Sequence, residues 1–224
     1  MIRPITVTLG FVAAALTTVV APAAGGNRVS EEAAVTPDSG HGRVLYLKHC
    51  TACHGQHAWG DGPREIPVLA GQRENYLIRQ LEQVVDDKRQ GSEMHGPIMH
   101  DTLQPADVAR AQTFRDLAVY LSHAARNPHP EYGAGQALAL GQRDYIRGCS
   151  GCHGSEGAGS DPEAVPAIGG QGYSYLLTQL RSFSAGRLRH PALADSPVAL
   201  SADEQEAVAD YVSRLTYLTA SGRQ

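Results

Sequence analysis

Two five-residue stretches decide the reading of this chain: Cys50-Thr51-Ala52-Cys53-His54 and Cys149-Ser150-Gly151-Cys152-His153. Together they use every cysteine of the 224-residue sequence. In each, two thiols three residues apart on a helical turn are followed at once by a histidine. That frame, C-x-x-C-H, is the attachment pattern of a c-type haem. The two sulfurs meet the two vinyl groups of one porphyrin, and the histidine falls under the iron as the proximal axial ligand. The expected cofactors are two covalently attached haem c groups. Cys50, Cys53 and His54 would hold one, and Cys149, Cys152 and His153 the other.

Other uses of four cysteines fit less well. Two disulfides in an exported protein would require no histidine after each pair. A thioredoxin-type C-x-x-C wants a preceding strand, and an amphipathic helical pattern precedes each pair here. A four-cysteine zinc site usually brings its pairs within about 15–20 residues of each other, whereas Cys50 and Cys149 are 99 apart.

The same 99-residue offset recurs beyond the cysteines. Pro67-Val68-Leu69-Ala70-Gly71-Gln72 is echoed by Pro166-Ala167-Ile168-Gly169-Gly170-Gln171, Tyr76-Leu77 by Tyr175-Leu176, and Gln80-Leu81 by Gln179-Leu180. Internal repetition at a fixed offset marks tandem modules. The first module is expected at 43–126 and the second at 136–224. Residues 127–135 would join them, since Asn127-Pro128-His129-Pro130 with Gly133 and Gly135 stops helices.

Each module reads as three helices. The first approaches the cysteines, from about Gly42 to Thr51 and from Gln136 to Ser150. The second carries Tyr76, Leu77, Gln80, Leu81, Val84 and Val85, or Tyr175, Leu176, Leu177, Leu180 and Phe183, at helical spacing. The third runs from about Pro105 to Ala125 with Val108, Ala111, Leu117, Ala118 and Leu121 inward. Its counterpart runs from Ser201 to Leu218 with Val208, Tyr211, Val212 and Leu215 inward, and Ser201 with Glu204 forms a capping box. No strand pattern competes. The expected fold is all-α: two tandem modules, each a few helices around one covalently bound haem.

The N-terminus resembles an export signal. Arg3 precedes an apolar stretch from Ile5 to Val20, and Ala21-Pro22-Ala23-Ala24 offers small residues for cleavage. Residues 1–24 are read as a signal peptide, with an uncleaved membrane anchor as the alternative, and 25–42 as a flexible lead-in that includes His41. Either way the compartment is the periplasm. With 19 basic against 23 acidic residues the formal net charge is -4, which makes nucleic acid an unsuitable partner. Membrane association is expected only through an uncleaved N-terminus or a partner protein. There are only two lysines, Lys48 and Lys88, so docking through a lysine ring around a haem edge is hard to build.

At this point the chain resembles the dihaem class I cytochromes of the cytochrome c4 type. The motif L/I-x-G-Q followed by Y-L-x-x-Q-L in each half carries the likeness. The resemblance implies an electron carrier working between redox proteins, with a membrane terminal oxidase or dehydrogenase as a partner. It also implies that the carbonyls of Pro67 and Pro166 accept the ring N–H of His54 and His153. It implies a distal methionine from the loop before each last helix. Only Met94 and Met99 follow the leader, both in the first module. Aligning His95-Gly96-Pro97-Ile98-Met99 with His190-Pro191-Ala192-Leu193, one glycine skipped, favours Met99 over Met94. The matching residue in the second module is Leu193, which cannot bind iron. His190 is the only non-attachment histidine in that module and becomes the candidate distal ligand; water, an open site, or a ligand from elsewhere are the alternatives. An open second iron would favour a haem enzyme or small-ligand binder over a plain carrier. A cytochrome subunit of a membrane complex is the third reading.

Overall fold

The computed structural model describes residues 36–85, 108–190 and 199–217. The N-terminal segment, Met94, Met99 and Leu193 lie outside them, as do His95, His100 and the start of the third helix at Pro105. Among the described residues all regular structure is helical. Two isolated antiparallel bridges, Asp61–Ile66 and Ser160–Val165, close equivalent small loops after each attachment motif.

In the first module α1 spans Ser39–His49, α2 Thr51–His54, α3 Glu74–Val85 and α4 Val108–Ser122. The second repeats the series as α5 Leu138–Gly148, α6 Ser150–His153, α7 Tyr173–Ser184 and α8 Ala202–Ser213. Asp38 caps α1 by accepting from the backbone N–H of Gly40 and His41, which satisfies two orphan donors of the first turn. The helix therefore starts inside the expected lead-in. His41 belongs to it, with Nδ1 2.6 Å from the Asp116 carboxylate.

The expected first helices ran unbroken into the motifs, and the structure corrects this. Helix α1 stops at His49 and α5 at Gly148. Cys50 and Cys149 serve as caps, and a separate four-residue turn then carries the second cysteine and the histidine. The last helix also ends early, at Ser213 instead of Leu218. Beyond it the chain straightens, so that Tyr217 enters the boundary between the modules and its hydroxyl donates to Gly71 O at 3.0 Å.

The two modules share one core plan. The first helix crosses the last at a glycine, Gly42 over α4 and Gly141 over α8. A Cβ at Gly42 would lie 1.9 Å from the Asp116 carbonyl oxygen, and one at Gly141 would lie 2.0 Å from that of Ala207. Only glycine admits backbones this close. Below each crossing a fully buried tyrosine fills the module: Tyr46 donates to Gly55 O at 2.6 Å and Tyr145 to Gly154 O at 2.5 Å. These hydroxyls hold the loop immediately after each attachment histidine. Around them pack Leu77, Leu117, Ala118 and Leu121 in the first module, and Leu176, Leu177, Val208, Ala209 and Val212 in the second.

Residues 127–135 are pinned to the second module. Glu131 accepts from the backbone N–H and hydroxyl of Ser174 in the first turn of α7, Gly135 N donates to Asp210, and Arg214 donates to Gly133 O.

Candidate haem sites

The histidines of the two attachment turns are presented in the same way. His54 and His153 are each 7% exposed. Their Nδ1 atoms stand 3.1 Å from Pro67 O and 3.0 Å from Pro166 O. A carbonyl can only accept, so Nδ1 carries the proton and Nε2 keeps the lone pair that a metal needs. Burial pulls the His153 pKa below its usual value, against the opposing pull of the Pro166 carbonyl. A neutral imidazole with a fixed tautomer is the form that ligates iron.

The cysteines divide by environment. Cys53 and Cys152 are exposed, while Cys50 and Cys149 are partly buried against the cores. Burial pushes the Cys50 thiol up to about 11 and raises that of Cys149. A thioether carries no charge, so attachment leaves an apolar sulfur in apolar surroundings. The residues present fit a covalently held porphyrin in each module.

The loops bearing Pro67 and Pro166 are fixed from two sides. Gly71 N donates to Leu121 O and Gly170 N to Val212 O, which ties each loop to its own last helix. Across the module boundary, Gln72 bonds the backbone of Ala167, and Gln171 bonds that of Val68. Beside them the Arg126 guanidinium stacks on the Tyr217 ring at 3.9 Å and donates to Gly169 O. Arg126 and Tyr217 occupy matching places, each six residues past the tyrosine of its last helix (Tyr120, Tyr211). The boundary thus has a local two-fold character.

His190 lies on the same side of the second module as His153. Gly186, at φ +68°, lets the chain reverse after α7, and the N–H groups of Arg187 and Leu188 return to Ser182 O. This brings the His190 ring to 6.0 Å from the His153 ring, at 63° to it, and to 5.3 Å from Phe183. Among the described residues the Nδ1 of His190 is buried without a hydrogen-bond partner, and burial lowers the pKa of the ring. Two imidazoles that share one metal at about 2 Å per nitrogen have ring centres roughly 6 Å apart. The pair is spaced for that role.

Trp59 donates to Ala125 O at 2.8 Å and its ring lies 4.7 Å from that of His57. Sequence reading missed Tyr46 and Tyr145, although both keep the 99-residue offset. It also missed Asp116 and Arg126, buried polar groups whose partners come from distant segments. The bonding of Gln72 and Gln171 went unread too, although both were visible as part of the repeat.

The cytochrome c family model matches the chain twice, over residues 40–125 and 138–216. The chain belongs to the cytochrome c family. Within it, the resemblance is to the dihaem c4 group. Cytochrome c4 of Stutzerimonas stutzeri is 30% identical over 197 residues, covering 82% of this chain and 90% of the relative. A "thiosulfate dehydrogenase electron acceptor" of Stutzerimonas stutzeri (strain A1501) is 29% identical over 222 residues, 92% and 94% of the two chains. Reduced recombinant cytochrome c4 from Pseudomonas stutzeri has a solved structure that superposes with a TM-score of 0.67. That match has 27% identity and covers 81% of this chain and 100% of the other. The cytochrome therefore carries two covalently bound haem c groups on two tandem all-α domains.

Proposed function

We propose that this cytochrome is a periplasmic electron carrier between respiratory redox proteins, with unlike axial ligands on its two irons. Cys50 and Cys53 attach the first haem and Cys149 and Cys152 the second, with His54 and His153 as proximal ligands. Met99 is the distal ligand of the first iron and His190 that of the second. Residues 1–24 direct export. When bound, haem supplies a one-electron Fe(III)/Fe(II) couple. The chain's own part is to fix each imidazole, to keep water from it, and to set how electron-rich its ligands are. A thioether ligand favours the reduced iron relative to a second imidazole. Haems held by Met99 on one side and by His153 with His190 on the other would therefore differ in potential, and the difference would give transfer between them a direction. A dehydrogenase that oxidises thiosulfate suits the donor, because the relative of nearly the same length is named for accepting electrons from one.

The observation that carries this reading is the 6.0 Å pairing of His190 with His153 and the orphaned Nδ1 beside it. Carbon monoxide titration of the dithionite-reduced holoprotein tests it. The wild type should bind almost none, and His190→Leu should bind about one equivalent per two haems. Binding of one equivalent by the wild type would remove His190 as a ligand and favour a ligand-binding or enzymatic second haem.

A further inference from the structure

The peptide group between Pro67 and Val68 is engaged at both ends. Its carbonyl oxygen accepts from His54 Nδ1 at 3.1 Å, and its N–H donates to the Gln171 side-chain carbonyl at 2.6 Å. The peptide between Pro166 and Ala167 is engaged in the same way, by His153 Nδ1 at 3.0 Å and by the Gln72 carbonyl at 2.7 Å. Both glutamines are buried. Each side-chain NH2 returns to the next backbone carbonyl, Gln171 Nε2 to Val68 O at 3.0 Å and Gln72 Nε2 to Ala167 O at 2.9 Å. A backbone N–H can only donate and a backbone carbonyl only accept, so the orientation of both amides is dictated by their partners.

Hydrogen bonds through one amide reinforce each other. A peptide whose N–H is given to a good acceptor has a more electron-rich carbonyl, and in a dry interior this adds roughly 10–30% per bond. A more electron-rich carbonyl draws harder on the imidazole N–H, which makes that imidazole a stronger donor to iron. Each glutamine stands in one module and acts on the histidine of the other.

We infer that Gln72 and Gln171 are positioning residues that tune the haem of the opposite module, Gln171 through Pro67 onto His54 and Gln72 through Pro166 onto His153. The inference rests on the reading of His54 and His153 as proximal ligands. It ties the electronic state of each haem to an intact boundary, so separating the modules would alter both potentials without touching either attachment turn.

The test is crossed. Gln171→Met and Gln72→Met keep the side-chain length and remove the amide, and midpoint potentials of both haems are read by spectroelectrochemistry with each haem resolved by NMR. Gln171→Met should raise the potential of the first haem and leave the second in place. Gln72→Met should do the reverse. A shift confined to the haem of the substituted module, an equal shift of both, or no shift overturns the inference; an equal shift is what a merely loosened boundary gives. Amide hydrogen exchange on the wild-type holoprotein supplies a check that needs no variant. The Val68 and Ala167 amides should exchange as slowly as the core helices, and rapid exchange at either removes the bond on which the inference depends. Retention of a low-spin first haem in His54→Ala would instead overturn the ligand reading itself.

Discussion

At the scale of single residues, the close approach of first and last helix in each module depends on one missing methyl. In an exposed helix Gly→Ala gains about 1 kcal/mol of propensity. At Gly42 the new Cβ would lie 1.9 Å from a backbone oxygen of α4, an atom that cannot rotate away. Overpacking of this kind costs typically ~1–3 kcal/mol and outweighs the propensity gain. Gly42→Ala is therefore expected to lower the denaturation midpoint of the holoprotein, and Gly141→Ala likewise. Unchanged midpoints in chemical denaturation would mean that the helices can part without cost. Neither glycine stood out in the sequence, because nothing local marks the partner backbone. Tyr46 and Tyr145 were hidden for a similar reason: a tyrosine beside aliphatic residues, Leu45 and Leu47 or Ile146, reads as generic core, and only the fold reveals which carbonyl its hydroxyl reaches.

At the scale of elements, helix periodicity located the second and last helices well, and the capping box at Ser201 forms as its residues suggested. The boundaries that moved did so for tertiary reasons. Helix α1 begins earlier because Asp38, whose own N–H donates to the buried Asp116 of α4, sets the first turn. Helix α8 ends earlier because Tyr217 is drawn to Gly71. The cap offers a prediction. Ser201→Ala should destabilise the second module by about 1 kcal/mol. The bond from Ser201 holds the Glu204 carboxyl below its usual value of 4.5. A depressed carboxylate contributes stability above its unfolded value, and this is lost as pH falls through the lower folded value. Stability measured by denaturant from pH 7 downward should thus fall below about pH 4.5 more steeply in the wild type than in Glu204→Gln. Parallel curves would show that the carboxylate adds nothing.

At the scale of the whole molecule, the boundary between modules is held by the buried glutamine bonds, by the half-buried contacts of Arg73 with Ala158 O and of Arg79 with Ala164 O, and by Arg126 stacked over Tyr217. Such contacts cost little while every group has its partner and much when one partner goes. Tyr217→Ala removes the ring under a guanidinium that burial already disfavours and the donor to Gly71 O. Calorimetry of this variant should show two separated transitions where the wild type shows one. A single transition at an unchanged midpoint would mean that the modules do not depend on this boundary.

The sequence by itself determined the two attachment turns, the duplication and the all-α class, because each rests on residues close together in the chain or repeated at a constant offset; the proline carbonyls behind the histidines were implied by the resemblance to the c4 cytochromes. His190 was legible as a candidate by elimination, but its nearness to His153 depends on the reversal at Gly186 and on Phe183. The crossed bonds of Gln72 and Gln171 and the stacking of Arg126 on Tyr217 were decided only in three dimensions. Their partners lie about 90 to 105 residues away, and a local pattern specifies which groups a residue can offer, while packing of the two modules specifies which groups it meets.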